Sequence, residues 1–132
     1  MKELQDISDL EDVKKMVDTF YGKIREDDLL KDIFNAIIQD RWPEHMEKMY
    51  SFWQTVLLNE RTYNGRPFIP HMRLPVDKVH FERWVALFTE TVDGLFSGKV
   101  AETAKWQGNR MAQMFLTKIN YFRENSQQTP LA

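Results

Sequence analysis

Apolar side chains recur at helical spacing along most of this chain, and no stretch alternates apolar and polar residues long enough to make a strand. The clearest run is Leu10, Val13, Val17, Phe20 and Ile24, which lays one apolar stripe along a single helix face. Tyr21 lies beside that stripe, four residues after Val17, so its ring can reach the same core. Ser8 with Glu11 three residues later predicts a capping box, because each side chain can satisfy a free backbone N–H at a helix start. A polar break at Asp27-Asp28 ends this helix, and the pair reads as a helix end, not an acid–base couple. Leu29 to Ile38 then reads as a turn or two of helix carrying Ile33, Phe34 and Ile37.

Asp40 and Pro43 predict the next start, since proline is tolerated where helix N–H groups have no partner. Trp42, Met46, Met49, Trp53 and Val56 form one stripe there, and His45, Met49, Phe52 and Val56 an overlapping one, so His45 sits at the edge of an apolar face. Asn64-Gly65 marks the best loop. Pro67 to Met72 reads as a short element bounded by proline, closed by Leu74-Pro75. Asp77 predicts a cap for a helix with Phe81, Trp84, Phe88, Val92 and Leu95 inward and an end near Gly94 and Gly98. His80, in its first turn among charges, reads as a solvated residue. The last helix places Ala104, Gly108, Met111, Phe115, Ile119 and Phe122 on one side. The expectation is therefore an all-α single domain over residues 1–132, with 1–8 and 125–132 as frayed ends.

Composition narrows the function classes. With 42% hydrophobic and 13% aromatic residues, the chain can bury a real core. Zero cysteines remove disulfides, thiolate zinc sites, iron–sulfur clusters, thiol catalysis and covalent c-type haem attachment together. A net charge of −2 gives no footprint for nucleic acid. The longest stretch free of Asp, Glu, Lys and Arg runs only from Met49 to Asn59, too short to span a bilayer. The acidic start Met1-Lys2-Glu3-Leu4-Gln5-Asp6 is no secretory signal, so no membrane role is expected and the cytoplasm is the expected address.

One feature is odd in a plain bundle: the proline-flanked histidine of Phe68-Ile69-Pro70-His71-Met72. It belongs to an ordered set: Thr19-Phe20-Tyr21, Asp32-Ile33-Phe34-Asn35, Trp42-Pro43-Glu44-His45, Phe52-Trp53, Tyr63-Asn64-Gly65-Arg66-Pro67, Pro70-His71, Leu74-Pro75 and Phe81-Glu82-Arg83-Trp84. In this order and spacing, from about Leu10 to Phe122, the chain resembles the truncated haemoglobins, the two-over-two helical globins, and specifically their third group. The glycine pairs of the first two groups are missing, which fits the third.

The resemblance implies a truncated 2-over-2 helical sandwich holding haem b (iron protoporphyrin IX) non-covalently. Carried over by position, His71 matches the proximal iron ligand, Tyr21 the distal tyrosine, His45 the distal-helix position facing the iron, and Trp84 a tryptophan that can hydrogen-bond the bound gas. Phe34 matches the phenylalanine that packs on the porphyrin. Met49 lies one turn after His45 on the distal side, and Phe52 and Tyr63 join the residues expected to touch the cofactor. Lys48 and Arg73 could meet the haem propionates, or be two solvated side chains. The implied partners are dioxygen, carbon monoxide or nitric oxide, and the implied assembly is a monomer or weak dimer.

The chemistry is consistent with those roles. Neutral imidazole is a good fifth ligand for haem iron, and its other nitrogen needs an acceptor that fixes the tautomer. Dioxygen held at iron carries partial negative charge, so phenol and indole donors in a dry pocket stabilise it. Three function classes stay open at this point: a gas-binding haem protein, chiefly for dioxygen; a haem enzyme for nitric oxide dioxygenation or peroxide reduction served by a separate reductase; and a haem-free helical interaction module in which His71 and Tyr21 are core residues. A di-iron carboxylate bundle is rejected, because no Glu-x-x-His pair exists.

Overall fold

A computed structural model describes residues 3–60 and 76–128, with side chains through Glu124. It contains α1 (Leu10–Ile24), α2 (Lys31–Ile38), α3 (Trp42–Leu58), α4 (Lys78–Leu95) and α5 (Lys99–Gln128), with no strand among the described residues. The main packing pairs are α1 with α3 and α4 with α5, and α1 also lies against α4. Two helices thus lie over two, with short α2 at one edge. The expected proline-bounded element and the Asn64-Gly65 loop fall outside the described residues.

The helix starts follow local chemistry. The cap of α1 is one residue later than expected: Asp9, not Ser8, accepts from the Asp12 N–H at 3.0 Å. Asp12 reaches back instead of Glu11, accepting from the Ser8 N–H at 2.9 Å and its hydroxyl at 3.1 Å. Glu11 and Asp12 also put negative charge at the positive end of the helix. Between α2 and α3, the Arg41 guanidinium donates to the Ile37 and Ile38 carbonyls, and the Trp42 indole donates to Asn35 at 3.2 Å. Pro43 sits in the first turn of α3, and Asn59 closes that helix in the left-handed region at φ 61°.

The N-terminal residues 5–8 are not frayed. The Asp6 carboxylate accepts from the Val100 and Ala101 N–H groups at 3.0 and 2.9 Å, so a distant segment caps the first turn of α5. Ser97 N–H donates to the Gln5 carbonyl, and Ile7 is buried. Gly98 permits this contact. Its φ is +139°, and a Cβ there would lie 2.5 Å from Asp6 Cγ. At the other end, α5 stays helical through Gln128, past the expected fraying point.

The core lies where α1 crosses α4. Phe20, Phe88, Met16, Val13, Val17, Ile24 and Val92 are almost wholly inaccessible to solvent. Phe88 is stacked between Trp53 and Trp84, at ring-centroid distances of 5.0 and 5.4 Å, with the Phe20 edge 5.2 Å away. Helix α5 closes on this stack through Gly108, where a Cβ would stand 2.8 Å from Phe88.

Candidate functional site

A cavity of about 180 Å³ lies between the helix layers. Helix α1 contributes Tyr21, α2 contributes Ile33, Phe34, Ile37 and Ile38, and α3 contributes His45, Met49, Phe52 and Trp53. The opposite wall carries Val76, then His80, Phe81 and Trp84 from α4, and Met111, Ala112 and Phe115 from α5. Many of these side chains are only half-buried although they sit on the apolar faces of their helices, because no other described helix packs against those faces. The wall is a large apolar surface with a few polar groups, the usual composition of a small-molecule site.

The polar groups on the α1–α3 side are clustered. The Tyr21 and His45 rings meet edge to face at 5.1 Å. Trp42 stands 5.7 Å from His45 and 6.0 Å from Tyr21, and Phe34 is 6.2 Å from Tyr21. Tyr21 is only 6% exposed. Burial pushes its phenol well above the usual tyrosine range, so it stays a protonated donor at neutral pH. Across the cavity, Trp84 is held face-on against Phe88 with its edge contact to Phe20 at 5.1 Å. A side chain packed on two sides by buried rings has its orientation fixed before any ligand arrives.

An ion pair with one buried partner supports this wall from behind. Asp27, whose side chain is 3% exposed, receives the Arg83 guanidinium at 2.6 Å. Its other oxygen accepts from the Leu29 and Leu30 N–H groups at 3.2 and 3.1 Å. Burial alone would raise the Asp27 pKa, but the Arg83 hydrogen bond and charge, with the two amides, outweigh it and hold the carboxyl below its ordinary value. The pair ties the α1–α2 turn to α4 beside Trp84. Asp27 is thus part of a turn, as its sequence setting implied.

The structure brings together Tyr21, Phe34, His45, Met49, Phe52 and Trp84 from the residues singled out in the sequence. His45, which could have faced solvent, lines the cavity. Lys48 does not; it is exposed on α3 and no part of the wall. His71, Tyr63 and Arg73 fall outside the described residues. Sequence reasoning missed Trp53 and Phe115 as wall residues and misread His80. The imidazole of His80 is half-buried and lines the cavity, and its Nδ1 accepts from the Asp77 N–H at 2.9 Å. The available signal was the pair of spacings Asp77-x-x-His80, a capping box, and His80-x-x-x-Trp84, one helix face.

Comparisons with known proteins agree with this geometry. Residues 5–118 match the family described as bacterial-like globin. A group 3 truncated hemoglobin of Campylobacter jejuni is 33% identical over 109 residues, covering 80% of this chain and 86% of that protein. The crystal structure of a group III truncated hemoglobin from Campylobacter jejuni superposes with a TM-score of 0.81 at 30% identity, over 89% of this chain and 95% of the other. With the two-over-two helix packing and a cavity walled by all five helices, these matches show that the chain belongs to the bacterial-like globin family, on its group III truncated branch.

Proposed function

We propose that the protein is a haem b protein that reversibly binds diatomic gases, chiefly dioxygen and also nitric oxide, in the cavity between α1–α3 and α4–α5. Globins bind haem, and the cavity has the chemistry the group needs. Its walls are apolar enough to receive a porphyrin face, and they carry polar donors from two sides. The observation that carries the reading is the buried Tyr21 phenol set against His45 in an otherwise apolar wall. A phenol kept this far from solvent stays protonated and can donate to a ligand in the cavity.

Of the three histidines in the chain, His45 and His80 line the described wall. His71 would hold the haem iron, on the strength of the Tyr63-Asn64-Gly65 to Pro70-His71 motif. When bound, haem would supply an iron able to take up and polarise a diatomic gas. The residues of this chain supply the rest. Tyr21 donates a phenolic proton, Trp84 an indole N–H and His45 a ring N–H toward a partly negative ligand. Phe34, Met49 and Phe52 keep water out, which strengthens each such hydrogen bond. The cytoplasm is the proposed location.

The test has two stages. Haemin added to the apoprotein should give a saturable Soret band at one equivalent; absence of that band would reduce the chain to a helical module. Stopped-flow dissociation from Tyr21→Phe, Trp84→Phe and the double variant then probes the donors. A hydrogen bond to a charged or partly charged acceptor contributes about 1.5–3 kcal/mol, so losing one should speed dioxygen release about ten- to hundred-fold. Carbon monoxide carries little charge when bound, and its release should change far less. Unchanged dioxygen rates in all three variants would make these residues packing only.

A further inference from the structure

We infer that His80 anchors a carboxylate of the bound porphyrin at the mouth of the cavity, acting as a neutral Nε2–H donor. This rests on the haem-binding reading above and goes beyond it. His80 Nδ1 accepts the Asp77 N–H at 2.9 Å. An imidazole nitrogen that accepts a hydrogen bond carries no proton, so the ring's proton is on Nε2. The capping contact therefore does two jobs. It closes the first turn of α4, and it sets the tautomer that makes the remaining nitrogen a donor and not a metal ligand.

The cap is itself braced. Arg123 of α5 donates from Nη1 to the Asp77 carboxylate at 2.9 Å and from Nη2 to the Val76 carbonyl at 2.8 Å. The ring on this braced turn is half-buried and lines the cavity, while Asp77, Lys78 and Val79 just before it are exposed. His80 thus stands where the cavity meets solvent. The porphyrin's carboxylates must lie at such a boundary, because an ionised carboxylate pressed against Phe81, Met111 or Phe115 would lose its hydration with nothing in return. Tyr21 and His45 face each other on the α1–α3 side, where the proposed gas site lies. Lys48, the cation nearest the distal stripe in sequence, is no part of the wall. Among the described residues, His80 is a donor that α4 offers at this rim.

The experiment measures haem loss to a scavenging apoglobin from the wild-type protein, His80→Gln and His80→Glu, each loaded with haem or with its dimethyl ester. Gln and Glu both keep an acceptor for the Asp77 N–H, as side chains of this kind do in capping boxes, but only Gln keeps a donor. With haem, His80→Glu should lose the group about ten- to hundred-fold faster than wild type, and His80→Gln within about threefold of it. With the ester, whose side chains carry no charge, the three proteins should agree within about threefold. Thermal melting of the apoproteins should show neither variant less stable than wild type, which separates this role from a purely structural one. Equal loss of haem from wild type and His80→Glu overturns the inference while leaving haem binding intact. The same ratio with ester and acid overturns it too. Failure of the wild-type chain to take up haemin defeats both readings together.

Discussion

Substituting Gly108 by Ala asks whether the aromatic stack behind the cavity is as rigid as its geometry implies. In the interior of a helix, Ala is favoured over Gly by about 1 kcal/mol. The chain contains its own controls, because Gly22 in α1 and Gly94 in α4 have nothing within 4 Å of a built Cβ. Gly22→Ala and Gly94→Ala should therefore stabilise the protein by about 0.5–1 kcal/mol each. At Gly108 the added methyl would stand 2.8 and 2.9 Å from two atoms of the Phe88 ring and 3.5 Å from Trp84. Ordinary carbon contact begins near 3.5 Å, so the ring must retreat by roughly 0.7 Å. It has no free direction: Trp53 and Trp84 stack on its faces and Phe20 meets it edge-on. Overpacking of this kind costs about 1–3 kcal/mol, which exceeds the helix gain. Gly108→Ala should thus fall about 1–3 kcal/mol below the two controls in equilibrium urea unfolding with an unchanged m value. In melting temperature that gap is roughly 3–12 °C. The near-ultraviolet signal of the tryptophans should change for Gly108→Ala alone. A Gly108→Ala protein as stable as Gly22→Ala would refute the rigid stack and, with it, the claim that Trp84 is oriented before a ligand binds.

Three further outcomes follow from the same contacts. Asp27→Asn should cost about 1–3 kcal/mol, below the range for a fully buried pair because half of Arg83 stays in water. Asp27 has a lower pKa folded than unfolded, so its contribution is full at neutral pH and is lost as the pH falls below about 3.9 through the folded value; the acid limb of a melting-temperature profile should be shallower in the variant. Gly98→Ala should destabilise by about 1–3 kcal/mol and speed hydrogen exchange at the Val100 and Ala101 amides, since the methyl would collide with the Asp6 carboxylate that holds them; unaltered exchange would mean the N-terminal segment is no cap. His71→Ala should abolish the haem spectrum or its histidine signature, with imidazole restoring it, whereas loss of haem in His45→Ala with a normal His71→Ala spectrum would exchange the two roles.

The helices were legible because their packing is local and periodic. In the stripe from Leu10 to Ile24, Val13, Val17, Phe20 and Ile24 are buried as read and Leu10 is half-buried, and the inward set of α5 is right at every position, with Ala104, Gly108, Phe115 and Ile119 buried and Met111 and Phe122 half-buried. The failures came where a partner was remote in sequence. Nothing near Asp6 announces that its carboxylate will cap a helix starting at Lys99, so residues 5–8 read as a loose end. The α1 cap slipped by one residue because Ser8, Asp9, Glu11 and Asp12 offer competing boxes, and only the backbone at Asp9, extended at φ −148°, decides between them.

The site was legible for a different reason, and only in part. Periodicity marks a side chain as inward but does not tell whether inward means another helix or a cavity wall. Phe88 and Trp84 occupy the same face of α4, four residues apart, yet Phe88 is sealed in the core while Trp84 is half-buried at the cavity wall. The resemblance to truncated globins supplied that distinction for Tyr21, Phe34, His45 and Trp84, whose positions match a known pattern. It could not supply it for His80, which the pattern does not mention and whose charged neighbours disguise it. Its role emerges only when the Asp77 hydrogen bond is seen to use one ring nitrogen while the cavity borders the ring. A histidine in a first turn is thus ambiguous from sequence because capping and ligand binding use different nitrogens of one ring. Both uses can hold at once, and here the first sets the chemistry available to the second.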